Sequence, residues 1–333
     1  MTNRGFDEQI AALDALKGRP LEPADVAFLR KSLANRNNFL VARAARLAEE
    51  NCLLELLPEM LAAFDRFFEN GAKTDPQCWA KNAISRALPR FECRDKQVYL
   101  RGLHYRQMEP TWGGRSDTAG TVRANCAHAL LACDGIDNQE LLILLLDLLV
   151  DQDKSVRVEA VRAIGQLGEI AVPLLRLRAL VPLVPAEEPE VFAACFNALL
   201  AIERENGVPF AARILESGDE RASEAAFALA ETRLQPALDA LLRIHRHPAP
   251  ATSEPAFVEA LLSAIALTRL PAAADYLIGL IRQEDRSASA AIEALARTAP
   301  NEELRLRVAA AVDETGSPRL LKQFHENFPA EGN

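Results

Sequence analysis

The sequence predicts an all-α fold built from stacked helix pairs, and three observations predict it. Alanine and leucine dominate a chain of 333 residues in which only 6% are aromatic; these are the best helix formers, and β-branched runs are scarce. One segment returns roughly every 30 to 36 residues, the signature of a repeat array. Prolines and acidic turns fall at matching places in successive copies.

The clearest copy runs from Asp151 to Glu169. An acidic turn, Asp151 to Asp153, precedes Val156 and Arg157; small and apolar residues follow at helical spacing, and Gly168 ends the run. Aligned on the small-apolar centre of the second helix, the copies are Ala129-Leu130, Ala163-Ile164-Gly165, Ala198-Leu199-Leu200, Ala228-Leu229-Ala230, Ala264-Ile265-Ala266 and Ala294-Leu295-Ala296. The small residues let second helices approach closely, while the leucines fill the seam between layers. Pro173, Pro209, Pro236, Pro271 and Pro300 each follow a second helix. They suit the first turn of the next helix, where a missing N–H costs nothing. Acidic turns at Asp151–Asp153, Glu187–Glu190 and Asp219–Glu220 open second helices, where carboxylates cap free amides and oppose the positive dipole end.

Taken in order, residues 1–20 read as a capping segment and 21–100 as degenerate repeats. Asn37-Asn38 lies in one turn of that region, and Asp75-Pro76 opens its last second helix. Residues 101–121 read as an irregular insertion loop, 122–315 as regular repeats and 316–333 as a C-terminal cap and tail. Repeats contact only their neighbours, so the chain is expected to form one continuous domain despite its length.

The order Asp-turn, Val-Arg, Ala, apolar-Gly resembles HEAT repeats, including the HEAT-like repeats of bacterial phycobilin-lyase-type proteins. Residues 117–170 carry the likeness best, with weaker copies from about 25 to about 315. The resemblance implies a right-handed α-solenoid, an armadillo-like superhelix of antiparallel helix pairs with second helices lining its concave face. It also implies that the Asp-turn and residues of the Arg123 and Arg157 type tie adjacent repeats together. It says almost nothing about activity.

The net charge of −9 argues against a surface that binds polyanions throughout. Residues 1–110 hold 17 Lys and Arg against 15 Asp and Glu, leaving the remainder acidic. Such asymmetry can mark a partner-facing end or reflect drift on a solvated surface. The six cysteines form no C-x-x-C pair and read as buried free thiols of a reducing compartment. The N-terminus lacks the apolar core of a signal peptide, and the most apolar run, Leu141 to Val150, is too short to span a bilayer and contains Asp147. A soluble, cytoplasmic protein is expected.

The array breaks between Arg101 and Thr121, where Pro110 and Gly113-Gly114 oppose a regular helix. Both tryptophans and two of the three tyrosines lie between residues 79 and 112, and nine Lys and Arg face four Asp and Glu from 79 to 123. Long loops are often functional. Trp112 offers a flat stacking surface, and Arg106 and Arg115 can hold a carboxylate or phosphate. Tyr105, Asp117 and Trp79 complete the candidate partner-binding set. The alternative is that this loop plugs a groove or joins an irregular repeat, with Trp112 packed inside and Asp117 capping the next helix.

Catalytic signatures are absent from the sequence. His245 and His247 are two apart at a helix end and read as a solvated pair, since such positions face apart. HEAT-repeat hydroxylases bind iron through several His-Glu dipeptides, whereas this chain has one, at His325-Glu326. Cys126 and His128 share a helix but not a face, which disfavours a nucleophile pair. No glycine loop of the phosphate-cradling type occurs. No cofactor, metal or catalytic residue is therefore expected. The leading expectation is a non-enzymatic scaffold that binds a protein or peptide on the concave face of the solenoid. A second is a nucleic-acid-binding protein akin to HEAT-like bacterial alkylpurine DNA glycosylases, suggested by Trp79, Trp112, Asp117 and nearby arginines; the acidity counts against it. A third, resting on the repeat resemblance alone, is an accessory bilin lyase.

Overall fold

The computed structural model describes residues 4–184, 187–298 and 300–329. It groups into two compact units, Met1–Leu167 and Gly168–Asn333. Parts of both expected caps, residues 1–3 and 330–333, lie outside the described residues.

The first unit contains α1 (Arg4–Asp14), α2 (Pro23–Leu33), α3 (Asn38–Glu50), α4 (Leu57–Phe68), the short α5 (Gly71–Thr74), α6 (Trp79–Ala87), α7 (Lys96–Leu103), strands β1 (Met108–Thr111) and β2 (Gly114–Asp117), α8 (Gly120–Leu130), α9 (Asn138–Leu146) and α10 (Lys154–Gly165). The second contains α11 (Val172–Leu180), α12 (Pro189–Glu203), α13 (Val208–Ile214), α14 (Glu220–Glu231), α15 (Gln235–Arg246), α16 (Pro255–Leu267), α17 (Pro271–Arg282), α18 (Ala288–Arg297), α19 (Glu302–Thr315) and α20 (Pro318–Asn327). Among the described residues the protein is thus helical apart from one hairpin.

Helices pack in sequence order. In the first unit α2 lies on α3 and α7 on α8, while second helices meet one another in the series α3, α6, α8, α10. In the second unit α11 packs on α12, α13 on α14, α15 on α16 and α17 on α18, and the second helices meet one another in the series α12, α14, α16, α18, α20. Pairs joined by short turns and packed together run antiparallel. The aligned small residues explain the close approach of these second helices. Ala129, Ala163, Ala228, Ala264 and Ala294 are all buried, as are Leu130, Ile164, Leu199, Leu229, Ile265 and Leu295; Ala198 is the half-buried exception.

Turn chemistry recurs with the repeats. Thr232 and Thr268 follow second helices, and each hydroxyl donates to the carbonyl three residues back, at 2.6 and 2.7 Å. Each also accepts the amide two residues on, from Leu234 and Leu270. Thr315 repeats this before α20. The residue after the threonine turns the chain through the left-handed region: Arg233 (φ 53°), Arg269 (φ 55°) and Gly316 (φ 62°). Proline at the first or second position then starts α15, α17 and α20. Asp153 and Asp219 cap α10 and α14 by accepting the amides of Ser155 and Ala222. At the fourth turn of this kind, Thr298 bonds Leu295, and Pro300 precedes the Asn301 cap of α19.

Only glycine enters the left-handed region without penalty. Arg233→Gly and Arg269→Gly are therefore expected to raise stability, each by about 0.5–1 kcal/mol net of the glycine's greater freedom when unfolded. Urea unfolding of the single and double variants checks this.

Candidate functional site

The segment expected as an irregular loop at 101–121 is ordered. Residues up to Leu103 complete α7, the chain then forms the β1–β2 hairpin, and Gly120 begins α8. The register pairs Met108 with Asp117, Glu109 with Ser116, Pro110 with Arg115 and Thr111 with Gly114. The two-residue turn is Trp112-Gly113, with Gly113 at φ 86°. Strands of four residues containing a proline lack the alternation that would announce them. What holds them is a set of buried polar contacts at their base.

The lowest layer is Asp75, fully buried with Lys81. One carboxylate oxygen accepts Asn38 Nδ2 and the Ala80 amide, both at 2.9 Å. The other accepts the Lys81 amide at 3.0 Å and Lys81 Nζ at 2.9 Å. Lys81 Nζ also donates to the Phe67 carbonyl at 2.9 Å and lies 5.3 Å from the Tyr105 ring centre. Asp75 thereby closes the turn into α6, where Gln77 and Cys78 both take left-handed backbone (φ 58° and 53°).

The hairpin stands on this turn. Gln107 Nε2 donates to the Asp75 carbonyl at 2.8 Å and to Glu109 Oε1 at 2.6 Å. Glu109 Oε1 also accepts the strained Gln77 amide and the Thr118 hydroxyl, each at 2.7 Å. The Tyr105 hydroxyl donates to Gln107 Oε1 at 2.7 Å. Gly71 makes room for this cluster, since a Cβ there would fall 2.2 Å from the Tyr105 hydroxyl oxygen.

A second ionic layer fastens the other end. Asp117 Oδ1 accepts the Gln107 and Ala119 amides at 3.0 Å, which closes the entry to α8. Its Oδ2 accepts Arg123 Nη1 at 2.7 Å. Arg123, buried, also donates to the Tyr105 carbonyl and to Asp151 Oδ1, both at 2.8 Å. Asp151 belongs to the next acidic turn, so Arg123 joins two successive helix pairs. Arg157 Nη1 donates to the Asp151 carbonyl at 2.6 Å. Arg106 lies over the same carboxylates, 3.5 Å from Asp117 and 3.3 Å from Asp151.

The six sequence-predicted residues therefore separate. Tyr105, Arg106 and Asp117 are engaged in the foot of the hairpin. Burial pushes the Tyr105 phenol up to about 12. Burial pushes Asp117 up, but the Gln107 and Ala119 amides and Arg123 outweigh it and hold the carboxyl below its ordinary value. Trp79 is on α6, 39% exposed; its ring packs 5.2 Å from that of Phe39, and its Nε1 donates to Gln77 at 3.2 Å. Trp112 does not pack inside: it is fully exposed at the hairpin tip. Arg115, also exposed, spends one N–H on the Met108 carbonyl at 2.9 Å. Met108 is exposed beside it. Asp75, Lys81, Gln107 and Glu109 escaped the sequence reading as parts of this region. The one available signal was Lys81, a charge on the inward stripe between Ala80 and Ala83-Ile84.

Other candidates resolve simply. Cys126 is buried, and burial pushes its thiol far above the ordinary range. His128 on the same helix instead meets Glu159 at 2.6 Å. His245 is not a solvated partner of His247: it is half-buried and meets the Tyr276 hydroxyl at 2.7 Å, and burial lowers its basicity. Cys52 is exposed and Cys133 half-buried, contrary to the expectation of buried thiols throughout. Among the described residues, no group of three His, Cys, Asp or Glu is placed to hold a metal ion, and no helix is long and apolar enough to cross a membrane. The chain matches no protein-family model, and no curated protein matches it.

Breaking a buried ion pair from one side leaves an uncompensated charge. Asp75→Ala is thus expected to cost about 3–5 kcal/mol in urea unfolding. Asp75→Ala with Lys81→Met is expected to cost less than Asp75→Ala alone.

For Glu109, burial raises the carboxyl, but Gln107, Thr118, the Gln77 amide and Lys81 lower it further, so it too sits below its ordinary value of 4.5. Carboxyls depressed in the folded state contribute stability that is complete above their unfolded values and lost as pH falls through the folded ones. For Asp117 and Glu109 the loss begins as pH drops through their ordinary values of 3.8 and 4.5. Urea midpoints measured against pH should fall in that acid range, and Glu109→Gln should flatten the fall.

Proposed function

We propose that the protein is a non-enzymatic interaction module, a HEAT-like helical repeat that captures a protein partner with the β1–β2 hairpin. The observation that carries this reading is Trp112, fully exposed at the tip of a hairpin whose base is fixed by buried Glu109 and Gln107 and by half-buried Asp117. An exposed tryptophan on a mobile loop would lose much of its value to ordering. On a rigid foot that cost is already met within the fold. Covering an indole of about 150–250 Å² at about 25 cal/mol per Å² is worth about 4–6 kcal/mol before the costs of association. Tryptophan and arginine are the residues that dominate interface energetics, and Arg115 and Met108 flank the indole. The sequential packing of second helices supports the repeat reading, and a right-handed solenoid with those helices lining its concave face belongs to the same proposal.

Nucleic-acid binding with base repair has less support. The basic residues that suggested it are largely neutralised within the protein: Arg106 and Arg123 by Asp117 and Asp151, Arg101 by Asp65, Lys96 by Glu140. Phosphate neutralisation supplies most of the affinity for duplexes. Asp117 is also committed to two amides and Arg123.

Affinity capture from the native source, repeated with the Trp112→Ala, Arg115→Ala double variant, tests the proposal. The expected result is loss of a specific partner with a melting temperature close to that of the parent. A double variant that retains the partner would remove the hairpin tip from the interface, and a gel shift of duplex DNA at moderate salt would favour the nucleic-acid reading.

A further inference from the structure

The Gly168–Asn333 unit carries three arginines just past the ends of consecutive second helices, Arg233 and Arg269 at the same position of one shared turn and Arg204 one residue out of that register. Arg204 follows α12, Arg233 follows α14 and Arg269 follows α16, and these three helices pack on one another in that order. All three side chains are exposed. Among the described residues none of them has a hydrogen bond, ion pair or ring contact, whereas Arg176, Arg178, Arg221, Arg282 and Arg307 in the same unit are paired with carboxylates. All three also hold positive φ, at 51°, 53° and 55°. Arg204 combines this with ψ −125°, a region glycine occupies and other residues avoid.

A cation is welcome at the carboxyl end of a helix. That effect does not account for these positions, because an arginine inside the last helical turn gains it without left-handed backbone. Arg204 and Arg269 also each border a groove. One, of about 440 Å³, has Leu200, Ala228 and Leu234 in its wall with Asn197, Arg204, Glu231 and Thr232 as polar groups. The other, of about 450 Å³, has Ala266, Leu270 and Leu295 with Arg269, Thr298, Asn301, Glu303 and the Asp275-paired Arg307. Each groove thus joins apolar wall to an unpaired guanidinium.

We propose that this edge binds an extended acidic peptide segment of a protein partner, its carboxylates on Arg204, Arg233 and Arg269 and its apolar side chains in the two grooves. Guanidinium groups take carboxylates with two parallel hydrogen bonds. Packed helices lie about 8–10 Å apart, and an extended chain advances about 3.3 Å per residue. Successive arginines therefore match carboxylates about three residues apart. A nucleic acid fits this edge less well. Its charges recur at every nucleotide, about 3.4 Å apart along a strand, whereas the arginines sit about one helix spacing apart and exposed Glu205 and Glu231 lie between them, so only a ligand whose charges are spaced apart can avoid those carboxylates. The proposal is independent of the hairpin.

The test is fluorescence anisotropy of the full chain with a short labelled peptide bearing Glu at every third position and Leu and Ala between, beside a copy with Gln for Glu. The Glu peptide is expected to bind with an affinity that falls with salt, and the Gln copy about tenfold more weakly. Arg233→Gly with Arg269→Gly removes two guanidiniums while relieving the backbone, so unfolding does not mimic loss of the site; this variant is expected to bind about tenfold more weakly at an unchanged or higher melting temperature. Trp112→Ala is expected to bind the peptide normally. No binding of the Glu peptide, equal binding of the Gln copy or unchanged affinity in the double glycine variant would overturn the proposal. So would a single-stranded oligonucleotide that displaces the peptide and binds more tightly through the same arginines.

Discussion

A carboxylate removed from water must be met on every side, and Asp75 is the place where this fold meets that demand most completely. Its two oxygens take an asparagine, two backbone amides and an ammonium, while its carbonyl takes Gln107. The α5–α6 turn, the start of α6 and the seat of the hairpin all converge there. A pair of this kind adds little net stability compared with apolar packing, because desolvation consumes most of the attraction. What it does is specify. Left-handed backbone at Gln77 and Cys78, with the Gln77 amide aimed at Glu109, is consistent only with one arrangement of these groups.

A second ionic assembly works across layers. Arg123 gathers Asp117, the Tyr105 carbonyl and Asp151, which belong to the hairpin, its approach and the next acidic turn. Its guanidinium is the right shape for this, with separate N–H groups for separate acceptors. Arginines with this employment are bonds within the structure. Those at 204, 233 and 269 have no such employment, and the contrast between engaged and idle guanidiniums separates structural from recognition roles more clearly than total charge does.

Much of the fold was legible because it is written in local terms. Alanine at the centre of each second helix, proline at the start of first helices and aspartate before α10 and α14 each act within a turn or two. The near-identity of the segments around Thr232-Arg233 and Thr268-Arg269 reflects one shared turn. The hairpin was not legible. Its strands are short, Pro110 interrupts one of them, and their support comes from Gln107, Glu109, Asp75 and Lys81, polar residues whose burial no hydropathy pattern reports. The candidate site was half legible. Composition singled out the region around Trp112, but whether that indole packs or projects depends on contacts made elsewhere. Arg106, Tyr105 and Asp117 looked available to a ligand because their internal partners, Asp151 and Gln107, lie 45 and 2 residues away in one case each and 10 in the last.

The division of labour within the hairpin has an evolutionary consequence. Everything that fixes its position lies at or below Glu109 on one strand and at Asp117 on the other. The four residues from Thr111 to Gly114 contribute nothing to that anchorage beyond the glycine at the bend. The tip is therefore free to change its side chains while the scaffold stays as it is, so that one helical framework can be retargeted by altering a handful of codons.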